Sequence, residues 1–195
     1  ILGKEKIERK IEYLLPELSK GAEEFYKERD YGTSIFLYKK IKTRQDLTSK
    51  QEMQYANALI RSNHVGEGID EYQEIFRKYP KWEVAKLSCV DSLIFVEDKL
   101  DYCLKLLENI SEPYRNTYYY RLLGDIYRIK QEPEEVYRNY DLALEKIRNF
   151  DEGIKILIKA ISYAKELGDD AKQKEYFDFY HSMSVGYDAI DIEYA

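Results

Sequence analysis

Five residues, Ser34, Gly68, Cys103, Val136 and Gln173, stand at intervals of 34, 35, 33 and 37 along the chain. Four positions after each comes Tyr38, Tyr72, Leu107, Tyr140 or Phe177, and seven positions after comes Ile41, Ile75, Ile110, Ala143 or Tyr180. Steps of four and seven place such residues on one face of a helix. A fixed period of this length is the mark of a repeat array, in which each unit buries its apolar stripe against the next. That leaves few folds open to the chain.

The stretch 119–147 shows what one unit contains. Val136, Tyr140, Ala143 and Ile147 fall at i, i+4, i+7 and i+11 behind Pro133, which suits the first turn of a helix. Tyr120, Leu123, Gly124 and Tyr127 form a stripe on the preceding helix. Only KQEP separates the two, so they fold back as an antiparallel hairpin. A glycine inside a helix costs about 1 kcal/mol relative to alanine, and close approach of the partner helix at Gly124 offsets that. Ala56 stands at the same place in the second unit, Asp91 is read at it in the third, Ala22 in the first and Ile161 in the fifth.

Composition removes several functions. Charged residues are 35% of the chain and apolar ones 44%, with four prolines and nine glycines, as in a helical protein with a polar surface. A net charge of -6 argues against nucleic acid as a partner, since phosphate binding needs concentrated Lys and Arg. No apolar run approaches the roughly 20 residues that insertion in a membrane demands. Cys89 and Cys103 are too few for a disulfide framework and lack C-x-x-C spacing. Cys103 sits at a packing position and is expected to be buried and inert. His64 and His181 have no metal-ligand spacing, and HVGEGID follows no strand, so no phosphate-cradling loop is expected. No nucleophile, base and orienting group come together in the sequence. The expectation is a protein without enzymatic activity or cofactor, located in the cytoplasm. The first residue is Ile1, which reads as a processed or excised N-terminus.

Helices are predicted over about 4–14, 17–29, 32–43, 49–63, 66–79, 82–97, 100–110, 114–130, 133–148, 151–167 and 170–184. They divide into a leading or capping helix over 1–14, five units over 15–48, 49–83, 84–116, 117–150 and 151–187, and a tail over 188–195. A 34-residue helix-turn-helix unit with small residues where its helices touch resembles the tetratricopeptide repeat (TPR). The fourth unit carries the likeness best, in Tyr120, Leu123, Gly124, Tyr127, Tyr140 and Ala143. The second matches down to Pro80, while the third departs at Asp91 and the fifth at Ile161 and Gln173. The resemblance implies an all-α fold: an α-solenoid, wound as a right-handed superhelix, of about five repeats.

It also implies a concave groove lined by the first helix of each unit. Carried onto this sequence, the groove positions include Lys50, Asn57 and Arg61, then Phe95, then Tyr118, Arg121, Asp125 and Arg128, then Lys155 and Lys165. Asn57 falls where such repeats bond a peptide backbone, and the arginines read as a locally basic strip suited to carboxylate or phosphate. Repeats that clamp the acidic tail of a cytosolic chaperone need Lys, Asn, Asn, Lys and Arg at five positions that here hold Ser19, Glu23, Gln54, Ala85 and Cys89. That adaptor role is not expected. The leading expectation is a scaffold holding a peptide or helix of another protein, with acidic character. The alternatives are a regulatory or accessory region of a larger protein, such as a peptide-sensing transcription regulator or a transferase, and a homo-oligomer assembled through the array's ends.

Overall fold

The computed structural model describes residues 2–184, with side chains for residues 14–183. Those residues form α1 (Leu2–Lys27), α2 (Tyr31–Lys42), α3 (Ser49–Arg61), α4 (Val65–Lys78), α5 (Glu83–Leu93), α6 (Leu100–Glu108), α7 (Thr117–Ile129), α8 (Pro133–Glu145), α9 (Phe150–Leu167) and α10 (Asp170–Ser184). Short 3-10 turns cover Glu97–Lys99 and Glu112–Tyr114, and there is no strand among the described residues. The expected tail, 188–195, lies outside them. The chain divides into two compact units, Ile1–Lys99 and Leu100–Ala195.

In the first unit α1 packs on α2 and α3 on α4. Its core joins Leu15, Ala22, Ile35, Tyr38, Ile41, Tyr55 and Leu59. In the second unit α7 packs on α8 and α9 on α10. Val136, Tyr140, Ala143, Ile156, Leu157, Ala160, Tyr163 and Tyr176 are buried together there. Tyr127, expected in the core, is half-buried at its edge.

Several predicted boundaries move. A break was expected at Pro16, but α1 runs straight through it. An interior proline removes one helical hydrogen bond and costs about 3 kcal/mol; Leu15 and Leu18 on either side pack into the core and hold the turn. The helix expected over 82–97 ends at Leu93, which leaves Phe95 in a turn. The helix expected from 114 starts at Thr117, where the Asn116 side chain accepts the Tyr119 N–H. Capping chemistry sets the other starts too: Asp30 accepts from Thr33, Thr48 and Gln51 form a capping box, and Asn149 accepts from Glu152.

The hairpin turns follow one pattern. Arg29, Asn63, Gln131 and Gly168 have φ of 65°, 66°, 59° and 68°. In each case the next residue's N–H reaches back five residues: Asp30 to Phe25 (2.9 Å), His64 to Leu59 (2.8 Å), Glu132 to Tyr127 (3.0 Å) and Asp169 to Ala164 (2.9 Å). This is the Schellman closure, which satisfies a terminal carbonyl and reverses the chain in one left-handed residue. After α5 the chain has no left-handed residue and runs through a 3-10 turn over Glu97–Lys99.

Gly124 is explained by its neighbour. A Cβ there would lie 2.5 Å from Cε1 and 2.6 Å from Cδ1 of Tyr140. In the third repeat the small-residue place belongs to Val90, fully buried and 34 residues from both Ala56 and Gly124, and not to Asp91 as the sequence alignment had it.

Gly124→Ala should lower stability by about 1–3 kcal/mol in urea unfolding, because displacing the Tyr140 ring outweighs the gain in helix propensity. Gln131→Gly should raise it by up to about 1 kcal/mol by relieving the left-handed strain. Burial first, and Glu23, Asp125 and Asp141 second, push the hydroxyls of Tyr38, Tyr140 and Tyr176 above their ordinary 10.0. A raised folded-state value gives stability that is complete below pH 10 and lost as pH rises beyond it. Loss of helical circular dichroism should therefore coincide with the appearance of tyrosinate absorbance above about pH 10, and Tyr140→Phe should blunt that loss.

Candidate functional site

The first helices of successive repeats carry a polar residue one step after the small one: Glu23, Asn57, Asp91 and Asp125, each 34 residues from the next. Every one of them bonds to a neighbouring first helix. Glu23 pairs with Lys50, Asp91 with Arg61 at 2.9 Å, and Asp125 with Lys159 at 2.8 Å. These bonds lace α1 to α3, α3 to α5 and α7 to α9.

Asn57 is the most completely bonded of the four. Its Nδ2 donates to Tyr26 Oη at 3.1 Å and Ser88 Oγ at 2.9 Å, and its Oδ1 accepts from the Tyr72 and Ser92 hydroxyls. An amide side chain has two donors and two acceptor positions, so none remains for a peptide. Asn57 is buried. The expectation that it grips a ligand backbone gives way to a role inside the first unit.

Asp125 takes the equivalent place in the second unit. Oδ1 accepts from Tyr140 Oη and Lys159 Nζ, both at 2.8 Å, while Oδ2 accepts from Lys159 at 2.9 Å and Arg121 at 2.7 Å. The carboxylate is buried with two cations and a phenol around it. Its desolvation is thus offset by charge and by hydrogen bonds.

The expected basic strip is largely neutralised. Arg61 is bonded to Asp91, Arg121 to Asp125 and Arg128 to Glu166, so no arginine of the three stands as an isolated fork. Arg128 also lies over the Tyr163 ring. Lys50 pairs with Glu23 on the surface, and Lys165 is exposed near the end of α9. Phe95, 82% exposed, belongs to the turn after α5 and not to a helix face.

Four of the expected residues do come together. Tyr118, Arg121 and Lys155 line a cleft of about 750 Å³ between α7 and α9, and Asp125 lies behind it, holding Arg121 and Lys159 in place. The Arg121 guanidinium lies 4.8 Å over the Tyr118 ring. Asn149, Asp151, Glu152, Lys159 and Ile158, which is 50% exposed, also line it. Lys155 makes no ion pair among the described residues. Lys159 and Ile158 were missed, yet a signal for one existed: Lys159 is one 34-residue period beyond Asp125, as Lys155 is beyond Arg121. Chemically the cleft offers an aromatic plate, a cation free to pair and an apolar edge. Elsewhere, burial pushes the Cys103 thiol up to about 12, which keeps it protonated, and no group of three His, Cys, Asp or Glu is arranged to hold a metal among the described residues. No helix among them is long and apolar enough to cross a membrane.

No family model matches the chain, and no curated protein sequence matches it. Solved structures do. The chain is similar to MamA 41-end from Desulfovibrio magneticus RS-1, with 14% identity and a TM-score of 0.65 over 90% of this chain and 97% of that one. The MamA RS-1 ArsTM double mutant is alike at 14% identity and 0.65, over 89% and 96%. MamA MSR-1 C2 follows at 13% and 0.59, over 87% and 96%. At such low identity the likeness establishes fold: an all-α helical-repeat protein of the TPR-like, α-solenoid class.

Replacing Asn57 with alanine should cost about 3 kcal/mol in urea unfolding, because several buried groups lose their partner at once. A double-mutant cycle with Tyr72→Phe should show a coupling of about 1 kcal/mol or more; strict additivity would mean the network is not cooperative.

Proposed function

We propose that the chain is a protein-interaction scaffold, and that the cleft between α7 and α9 takes an extended peptide or a helix turn from a partner protein. The TPR-like fold supports the general reading, since stacked helical pairs present extended surfaces suited to binding other chains. The finer reading is carried by one observation: Tyr118, Arg121 and Lys155 converge on a single cleft beside Lys159 and the exposed Ile158.

The chemistry of the lining describes the ligand. Tyr118, stiffened by the guanidinium over its face, is an anchor with little rotamer freedom to lose. Ile158 favours an apolar side chain beside it. Lys155 favours a carboxylate at the same site, whereas Arg121 and Lys159 are engaged by Asp125 and serve to shape the wall. Asp151 and Glu152 at the other edge oppose a uniformly acidic ligand. The partner segment is therefore a mixed apolar peptide with one acidic residue, rather than an acidic tail.

Selection of a random peptide library on the full chain tests this. Peptides that emerge should bind at least tenfold more weakly to Tyr118→Ala and to Lys155→Glu, while thermal unfolding of both variants stays close to that of the parent. Selected peptides indifferent to both substitutions would place the binding surface elsewhere.

A further inference from the structure

A second groove lies on the other helix layer of the second unit, between α8 and α10. It encloses about 560 Å³ and is lined by Asp141, Leu144, Glu145, Glu175, Tyr176, Asp178, Phe179 and Ser182. Its floor is apolar: Leu144 and Tyr176 are buried, and Phe179 stands 39% exposed at the wall. Its rim carries four carboxylates, two of them paired with Lys172.

Those carboxylates are not equally satisfied. Asp141 accepts from Tyr176 Oη at 2.8 Å and from Lys172 at 3.4 Å, and Glu175 accepts from Lys172 at 3.0 Å. Glu145 and Asp178 have no ion pair or hydrogen-bond partner among the described residues. Glu145 is moreover the last residue of α8, a helix with no basic residue in its last turn. A negative charge at the negative end of a helix dipole is unfavourable, and a cation arriving beside Glu145 would relieve it. The repulsion among the rim groups falls in the same way.

We infer that this groove docks a cationic amphipathic segment of a partner protein, with an apolar side chain against Phe179 and Leu144 and lysine or arginine beside Glu145 and Asp178. The occupant follows from charge complementarity: an apolar floor alone would not choose between partners, but a rim with four carboxylates and two of them unpaired selects a basic one. The site shares no residue with the cleft between α7 and α9, so each reading can fail without the other.

The probe is a labelled 14-residue peptide of lysine and leucine in helical register, titrated onto the full chain by fluorescence anisotropy at low salt and again at physiological salt. Saturable binding is expected, weakened at least tenfold by Glu145→Lys with Asp178→Lys and several-fold by Phe179→Ala. The charge-matched control Glu108→Lys with Glu134→Lys, outside the groove, should change it less than twofold. A peptide of the same composition with its apolar face scrambled should bind at least fivefold more weakly. Equal loss in the control pair, or equal binding of the scrambled peptide, would reduce the attraction to general charge and overturn the assignment; so would groove variants that bind like the parent.

Discussion

The repeats depend on a tyrosine placed where it must be both buried and hydrogen-bonded. Tyr38, Tyr72 and Tyr140 stand at one position of the second helix, and each hydroxyl ends on a polar side chain: Gln54, Asn57 and Asp125. Tyr176 does the same with Asp141. The ring supplies the volume that closes the core, and the hydroxyl reaches beyond it to fix the register of a neighbouring helix. An unpaired hydroxyl at that depth would be unfavourable by a few kcal/mol, so ring and acceptor have to be present together. The small residue opposite, Gly124 in the clearest case, exists to make room for the ring.

From that pairing the polar ladder of the first helices follows. Asn57 and Asp125 receive a tyrosine on one side and reach the next first helix on the other, through Ser88 and Ser92 in one case and Lys159 in the other. The same residue thus joins the two helices of a hairpin and joins that hairpin to its neighbour. What looked in the sequence like surface chemistry is partly structural: Asn57 and the carboxylate of Asp125 are internal, and Arg61, Arg121 and Arg128 are held by acids. The cleft that remains is defined by what these pairs leave over, namely Tyr118, Lys155 and Ile158.

The hairpins were legible in the sequence because their signals are local and periodic. Pro133 at the start of α8, Gly168 at the end of α9 and the tyrosines at their 34-residue spacing all act through the backbone or through one neighbouring helix. Pro16 misled because its effect on α1 is outweighed by packing that only the folded chain supplies. Asn57 misled because its four partners come from three other helices at unrelated spacings, and nothing in a linear pattern shows that they converge. Asp91 misled by one place, since the alignment absorbed an extra residue on the wrong side of it.

That extra residue is itself informative. In the hairpins closed by Arg29, Asn63 and Gln131 the small residue of the first helix and its counterpart in the second are twelve apart: Ala22 and Ser34, Ala56 and Gly68, Gly124 and Val136. Val90 and Cys103, with no left-handed residue between them, are thirteen apart along the chain. A reversal made by one residue has no slack, because lengthening it would rotate the following helix by about 100° and turn its stripe away from the core. Such a chain can change length in evolution more readily at the joints between hairpins, or where no left-handed residue closes a turn, and its variable surface must be sought there.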